Sequence, residues 1–215
     1  MITVAGVGPG AKEYLTEKVA FIVQKADIVA GWNHALKVIE GVIQGEKIQF
    51  TSYEKEEETI AYLAQEAKKG KKCIICTVGD PNFSDYQLLE KTRKYDEIEV
   101  VPGISSVQVA ASLAQVSLEH TYFITFHKSG SIEGEKEELL EGIQKGKHLI
   151  LLPRPYDFMP QDIANFLIEH GVDASLKVTM FENLTFKDER KIETTIGELR
   201  GNFSDLSVIV IKASK

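Results

Sequence analysis

The sequence predicts an α/β protein of two domains, with a mostly parallel sheet in the first domain and a mixed sheet in the second. In the first half of the 215 residues, short apolar runs alternate regularly with amphipathic helical patterns, which is typical of a parallel sheet covered by helices. In the second half, the late apolar runs follow one another with little helix between them, which indicates antiparallel strands. The change near Ser117–Glu119 predicts domains of residues 1–118 and 119–215.

The hydrophobic pattern predicts each element in turn. In the first domain, apolar runs typical of strands occupy residues 2–7, 27–31, 73–78 and 97–101. Amphipathic helical patterns occupy about 12–25, 34–43, 56–69, 84–94 and 105–115. In the second domain, strands are predicted at Tyr122–Phe126, Leu149–Leu152, Leu176–Phe181, Lys191–Thr195 and Leu206–Ile211. Its two helices are predicted near residues 135–145 and 159–169.

Composition and charge argue against several classes of protein. The formal net charge of −7 disfavours a nucleic-acid partner, because binding to a polyanion depends on concentrated positive charge. The longest apolar runs, such as Leu206–Ile211, are far shorter than the roughly 20 residues that span a bilayer. The N-terminal segment has no basic lead before its first glycines, so no signal peptide is expected. These features predict a cytoplasmic protein without a membrane or nucleic-acid partner.

The cysteines and histidines do not form a recognisable metal or redox pattern. Cys73 and Cys76 lie in one strand-like run, where residues three apart point to opposite faces of the sheet. They are therefore expected to be buried structural thiols rather than a disulfide or a pair of metal ligands. The five histidines, at positions 34, 120, 127, 148 and 170, lack the spacing of a metal site. No metal is predicted.

Three short glycine- and proline-containing segments each follow a predicted strand and precede a predicted helix. They are Gly6-Val7-Gly8-Pro9-Gly10, Gly79-Asp80-Pro81 and Val101-Pro102-Gly103-Ile104-Ser105-Ser106. Open α/β sheets build their ligand sites at the carboxyl ends of parallel strands. Glycine there lets the backbone approach a ligand closely, and proline stiffens the loop. The three loops therefore predict one composite pocket.

A dinucleotide site is one alternative for the first loop, since Gly6-x-Gly8-x-x-Ala11 fits the dinucleotide fingerprint. That fingerprint also needs an acidic residue at the end of the second strand, whereas Asp27 begins that strand. Pro9 also removes an N–H that a pyrophosphate would use. A dinucleotide-dependent oxidoreductase stays open as an alternative. The pattern shows no activated nucleophile, which suits a reaction whose reactive group arrives on a cofactor.

The three loops, in this order and spacing, resemble those of the tetrapyrrole (class III) methyltransferases, which use S-adenosyl-L-methionine. The resemblance covers essentially the whole chain and is strongest to members that methylate corrin precursors in cobalamin synthesis. The supporting segments are Tyr14-Leu15-Thr16, residues 26–31, Phe126-His127, Glu182-Asn183-Leu184, Asp188-Glu189-Arg190 and residues 203–206. The chain departs from the family pattern at Asn82 and Asp85, where glycine is usual, and at Lys128-Ser129, where Gly-Arg is usual.

The resemblance implies that S-adenosyl-L-methionine lies in the cleft between two α/β domains, and that the substrate is a tetrapyrrole. The residues that it assigns to the methyl donor are Pro9, Gly79, Asp80, Pro81, Phe83, Ser84, Ser105, Ser106, Leu152, Asn183 and Leu184. His127 is the candidate catalytic residue, and Lys128 and Arg154 are candidates to pair with substrate carboxylates. A homodimer is also expected.

Other roles remain open for several of these residues. Asp80 could cap the helix that follows it, and either serine of the 105–106 pair could cap the next one. Leu152 could be part of the core, and His127 could bind a substrate carboxylate, act as a base or be purely structural. A different ring position or a different methyl acceptor also remains possible.

Overall fold

Two separate five-stranded sheets organise residues 1–213, the part of the chain that the computed structural model describes. One sheet belongs to a first unit, Met1–Ser105, and the other to a second unit that begins at Ser106. All strand pairs of the first sheet are parallel, and the second sheet combines one parallel pair with three antiparallel pairs. The prediction of a parallel sheet followed by a mixed sheet is confirmed.

The three glycine loops follow three neighbouring strands of the first sheet. Its strands are β1 (Ile2–Gly6), β2 (Ile28–Trp32), β3 (Glu46–Phe50), β4 (Cys73–Thr77) and β5 (Ile98–Val101). They are ordered β3-β2-β4-β1-β5. Strand β1 therefore lies between β4 and β5, so the three loops that follow these strands leave the sheet side by side at its carboxyl edge.

Five helices connect these strands. They are α1 (Glu17–Gln24), α2 (Asn33–Val38), α3 (Tyr53–Lys68), α4 (Pro81–Ser84) and α5 (Tyr86–Arg93). Side-chain caps fix where α1 and α3 begin, because the Thr16 hydroxyl accepts from the Val19 N–H and the Ser52 hydroxyl accepts from the Lys55 N–H. Apolar residues of α3, α5 and the sheet form a buried core, among them Ile60, Leu63, Leu88, Val4 and Ile75.

Two details of the first unit differ from the prediction. Strand β3 was not predicted, because Glu46–Phe50 is an edge strand in which only Phe50 is buried and no apolar run marks it. The helix predicted over about 84–94 is present as α5, and the short helix α4, which was not predicted, precedes it, with Asp85 between the two. The break places Asp85 at a junction instead of inside a helix.

Within residues 106–213, the second unit contains five strands and three α-helices. The strands are β6 (Thr121–Thr125), β7 (His148–Leu152), β8 (Lys177–Glu182), β9 (Arg190–Thr195) and β10 (Ser207–Ile211). The helices are α6 (Ser106–Ala114), α7 (Glu133–Gln144) and α8 (Pro160–Glu169). Helix α6 lies against β7 and β10. A domain boundary between residues 118 and 119 stays a prediction.

The strand directions of the second sheet bring several loops to one edge. The order is β6-β7-β10-β8-β9, with β6 parallel to β7, and with β7 and β8 both antiparallel to β10. Strands β6, β7 and β8 therefore all run the same way. Their carboxyl ends lie at the same edge as the amino end of β10, which we call the loop edge of the second sheet.

The two cysteines agree with the sequence-based interpretation. Cys73 and Cys76 are both buried in β4 and unbonded, and burial raises the pKa of the Cys76 thiol to about 12. The prediction of structural thiols is confirmed. Within residues 1–213, no helix combines the length and apolar character that crossing a membrane requires.

Candidate active site

The three glycine loops of the first unit are in direct contact with one another. The N–H of Gly79 donates to the carbonyl of Gly8 at 2.8 Å, and the N–H of Gly8 donates back to the carbonyl of Gly79 at 3.2 Å. A Cβ added at Gly6 or at Gly103 would lie within 3.0 Å of the backbone of the two other loops. Only glycine fits at these two positions, and the loops meet as the sequence predicts.

The Gly79-Asp80-Pro81 segment turns sharply from β4 into α4. Gly79 has a φ of 72°, which favours glycine. The Asp80 side chain is buried, and its Oδ1 atom accepts from both the backbone N–H and the side-chain amide of Asn82, at 2.8 Å each. Asp80 is thus the N-cap of α4, so the capping role that the sequence left open is confirmed.

The other residues assigned to the donor near these loops lie within or directly after them in the chain. Pro9 and Pro81 are buried, and Phe83 and Ser84 are half-buried. Ser105 is buried at the end of the third loop, and the half-buried Ser106 begins α6. Their contact with the donor remains a prediction.

A polar cluster that the sequence analysis missed lies beside the second loop. Asp85 is half-buried, and it is close enough to Glu56 of α3 and to Asp80 for both carboxylates to act on its charge. Burial, together with these two carboxylates, raises the pKa of Asp85 to about 7. The buried hydroxyl of Thr77, the last residue of β4, has the opposite effect and lowers the pKa of Asp85. The only sequence signal was that Asp85 stands where the family has glycine.

Glu56 is held by partners from two other elements. Its Oε2 accepts from the indole N–H of Trp32, at the end of β2, at 3.0 Å. Its Oε1 forms an ion pair with Lys91 of α5 at 2.6 Å. Only 4% of Glu56 is exposed, so this carboxylate is a compensated buried charge that ties β2, α3 and α5 together.

In the second unit, the loop edge carries every site residue that the resemblance assigned beyond Ser106. His127 and Lys128 follow β6, Leu152 ends β7 and Arg154 follows it. The Phe126 N–H donates to the carbonyl of Leu152 at 2.8 Å, which joins these two strand ends. Asn183 and Leu184 follow β8 at the same edge.

His127 has the protonation state that suits a proton acceptor. More than a third of the residue is solvent-accessible, yet enough protein surrounds the imidazole for desolvation to lower its pKa. The carboxylate of Asp205, in the loop before β10, opposes this shift without reversing it. The imidazole is therefore largely neutral at pH 7, and a neutral imidazole accepts a proton more readily than it pairs with a carboxylate.

The two cations predicted to bind substrate already have partners within the protein. Lys128 forms an ion pair with Glu135 of α7. The Nε of Arg154 donates to Asp157 at 2.6 Å, and its Nη1 donates to the carbonyl of Gly130 at 2.8 Å. Of these bonds, the one to the Gly130 carbonyl joins the loop after β7 to the loop after β6.

Asn183 is strongly constrained, whereas Leu184 belongs to the buried interior. The φ of Asn183 is 50°, and its side chain donates to Asp188 at 2.8 Å and accepts from the Ser204 hydroxyl at 2.6 Å. Leu184 is 3% exposed, while Leu152 is half-buried. The buried Glu182, at the end of β8, accepts from the Ser204 N–H at 2.7 Å and from Arg190. Glu182 therefore holds the loops after β8 and before β10 together.

Comparisons with known proteins identify the family. The family model for tetrapyrrole (corrin/porphyrin) methylases matches residues 1–200. The chain is 35% identical to the probable cobalt-precorrin-7 C(5)-methyltransferase of Methanocaldococcus jannaschii, over all of this chain and 99% of that protein. These matches show a family and not only a shared fold.

Solved structures show the same fold. The methyltransferase CobJ superposes with a TM-score of 0.81 at 18% identity, over 99% of this chain and 94% of that one. The precorrin-6Y methylase of Archaeoglobus fulgidus superposes with a TM-score of 0.75 at 23% identity, over 100% and 99%. With a family model that covers residues 1–200 and a relative that matches end to end, the chain belongs to the tetrapyrrole (corrin/porphyrin) methylases and is an S-adenosyl-L-methionine-dependent methyltransferase.

Proposed function

We propose that this enzyme methylates a corrin precursor, cobalt-precorrin-7 or precorrin-7, at carbon 5 in cobalamin biosynthesis. The observation that carries the proposal is the identity of 35% to a probable cobalt-precorrin-7 C(5)-methyltransferase, which extends over the full length of both chains. A match confined to the donor loops would not distinguish one acceptor from another. A match from end to end includes the surfaces that recognise the substrate.

The residues of the first unit have the chemistry to hold the donor. The donor is a nucleoside with hydroxyl groups, an amino acid moiety and a sulfonium, and the sulfonium makes its methyl group electrophilic. Three contacting glycine loops offer backbone polar groups, and Asp80 and Ser84 offer a carboxylate and a hydroxyl beside them. The other residues that we assign to the donor at these loops are Pro9, Gly79, Pro81, Phe83, Ser105 and Ser106.

We also assign Leu152, Asn183 and Leu184, at the loop edge of the second sheet, to donor binding. The φ of 50° at Asn183 and its bonds to Asp188 and Ser204 hold the backbone after β8 in one conformation. A preorganised loop binds a ligand without first losing its own conformational freedom. Leu184 contributes through its position in this loop, since its side chain is almost entirely buried.

His127 takes the role of proton acceptor at a ring nitrogen. Methylation at an unsaturated ring carbon leaves a proton to be lost, and a positioned general base contributes about 10²–10⁴-fold to such a step. The neutral imidazole of His127 is in the correct state at pH 7, because desolvation lowers its pKa. Asp205, on the neighbouring loop, then favours the protonated imidazole that results.

Arg154 and Lys128 bind the carboxylates of the substrate periphery. A guanidinium carries five N–H donors, so Arg154 can pair with a substrate carboxylate while it keeps Asp157 and the Gly130 carbonyl. Lys128 would exchange or share its partner Glu135. The enzyme would act as a homodimer in the cytoplasm. Light scattering of the purified protein tests whether it is a dimer.

The reaction itself is the decisive test. The purified protein is incubated with S-adenosyl-L-methionine carrying an isotope-labelled methyl group and with cobalt-precorrin-7 or precorrin-7. Mass spectrometry should show the gain of one methyl group, and NMR of the product should place the label at carbon 5. A label at another ring carbon, or no transfer to either corrin, would overturn the proposal while leaving the family assignment intact.

A further inference from the structure

The carboxyl groups beside the second glycine loop differ in whether their charges are compensated. Asp80 bonds to two N–H groups of Asn82, and Glu56 bonds to Trp32 and Lys91. For Asp85, no ion pair is present among residues 1–213. The charged groups that act on Asp85 are the carboxylates of Glu56 and Asp80. Asp80 is thus compensated by N–H donors and Glu56 by a cation, whereas Asp85 lies near two carboxylates and has no ion pair within residues 1–213.

The position of Thr77 gives a second, independent observation at the same place. Its hydroxyl is buried at the end of β4 and makes no hydrogen bond of ordinary geometry within the described part of the chain. It is nevertheless close enough to Asp85 to stabilise that carboxyl in its ionised form. A buried hydroxyl without a regular partner is uncommon. This hydroxyl can therefore donate to the Asp85 carboxyl when that carboxyl is ionised.

The N-terminal end of α5 does not use the Asp85 side chain. The residue occupies the N-cap position, and its backbone carbonyl accepts from the Leu89 N–H at 3.0 Å, but its carboxyl makes no capping bond. A capping aspartate would normally direct its carboxylate to the first N–H groups of the helix. Helix formation therefore does not explain why a carboxyl is present at this junction.

We propose that Asp85 makes the site prefer the positively charged sulfonium donor to the neutral thioether that remains after methyl transfer. The inference rests on the assignment of residues 79–84 to the donor, since Asp85 directly follows that segment. Transfer of the methyl group removes one positive charge from the bound molecule. A nearby uncompensated carboxylate stabilises the donor and gives the product no such stabilisation, so product release is favoured.

The same electrostatics predicts that donor binding is linked to a proton. With a pKa of about 7, Asp85 is partly protonated in the ligand-free protein near neutral pH. A bound cation stabilises the ionised form and lowers the pKa of Asp85, so a proton is released. The thioether carries no sulfonium charge and should release no proton from this group. The preference for the donor should therefore increase as the pH rises through 7.

Isothermal titration calorimetry separates these behaviours without any measurement of turnover. S-adenosyl-L-methionine and S-adenosylhomocysteine are titrated into the full-length protein at pH 6, 7 and 8, in two buffers of different ionisation enthalpy. We expect proton release with the donor only. We also expect the ratio of the two dissociation constants to change about fivefold between pH 6 and pH 8 if the cation lowers the pKa of Asp85 by one unit, and at most about tenfold for a larger shift.

Two variants and a control test whether Asp85 causes the pH dependence of the ratio of dissociation constants. Asp85→Asn should bind S-adenosylhomocysteine as the wild type does, but the ratio of dissociation constants should no longer depend on pH. The control is Glu90→Gln, an exposed carboxylate on α5 that pairs with Arg93, and it should keep the wild-type pH dependence. Thr77→Val removes the hydroxyl that stabilises ionised Asp85, so the midpoint of the pH dependence should move to higher pH.

The outcomes distinguish this inference from the donor assignment. Equal proton release with both ligands, or a pH-dependent ratio that persists in Asp85→Asn, would overturn the inference and leave the donor assignment standing. Failure of the wild type to bind either ligand would overturn the donor assignment and this inference with it.

Discussion

Asp80 and Asn82 are joined twice, because a single carboxylate oxygen of Asp80 accepts from both the backbone N–H and the side-chain amide of Asn82, at 2.8 Å each. The first of these bonds caps α4 and depends only on the backbone of Asn82. The second exists because asparagine stands where the family usually has glycine. Asp80 therefore shapes the loop of the donor site, whether or not it also contacts the donor.

Substitution of Asp80 should separate these two roles. Asp80→Ala should cost about 1 kcal/mol of stability through the lost cap, whereas Asp80→Asn should cost much less, because asparagine is also a good N-cap residue. If the carboxylate also binds the donor, both variants should weaken S-adenosylhomocysteine binding by roughly 1–3 kcal/mol. Calorimetry and thermal denaturation measure the two effects. Unchanged affinity in both variants would leave Asp80 with the capping role alone.

The packing of the three loops predicts that replacement of Gly103 by a larger residue destabilises the protein. In Gly103→Ala the new methyl group would lie within 3.0 Å of the backbone of Gly79 and Gly6, and overpacking typically costs about 1–3 kcal/mol. We expect a lower melting temperature and weaker S-adenosylhomocysteine binding. Gly134→Ala is the matched control, since that glycine of α7 has open space around it. A melting temperature of Gly103→Ala equal to that of this control would contradict the loop contact.

His127→Ala should impair methyl transfer and leave donor binding largely intact. The loss of a general base lowers the rate by about 10²-fold or more, while S-adenosylhomocysteine affinity should stay within a factor of a few. Single-turnover kinetics and calorimetry are the measurements. A variant with normal turnover would mean that the histidine is structural, and loss of donor binding would mean that it belongs to the donor site.

The pH profile of the wild type gives a second test of His127. Desolvation lowers the pKa of this imidazole below 6.5 in the folded protein, so the neutral form persists to lower pH than in an ordinary histidine. The rate of methyl transfer should be constant around pH 7 and fall as the pH drops below 6.5. If the fall occurred above pH 7, another group would control the reaction.

Asp85 should make the stability of the protein depend on pH. Its folded-state pKa of about 7 is above the ordinary value of 3.8, so between these values the folded protein binds the proton more tightly than the unfolded chain. Stability should therefore fall as the pH rises from about 4 to about 7, by about 1.4 kcal/mol for each unit of the shift.

The variant Asp85→Asn removes this titration. Its stability relative to the wild type should increase from pH 5 to pH 8 in urea denaturation, and Glu90→Gln should show no such trend because Glu90 is exposed. A difference between Asp85→Asn and wild type that is the same at all pH values would show that Asp85 titrates normally.

Much of the fold was predictable because the information is local. Strands β1, β2, β4 and β5 are short apolar runs, and the glycine loops that follow three of them identify the carboxyl edge of the first sheet. The contact of these loops follows from the strand order, since β1 lies between β4 and β5. Strand β3 escaped prediction because an exposed edge strand needs no continuous apolar run.

The sequence by itself determined the fold class, the loops and the family, because glycine loops, strands and helices each depend on neighbouring residues. Only the tertiary structure decided the surroundings of single side chains. Asp85 lies at a helix junction, Glu56 lies in α3 and Thr77 ends β4. No pattern along the chain predicts that these three residues are close together. The pKa of a carboxyl depends on burial and on charges brought close by folding, so the properties of Asp85 follow from tertiary contacts that the order of residues alone does not reveal.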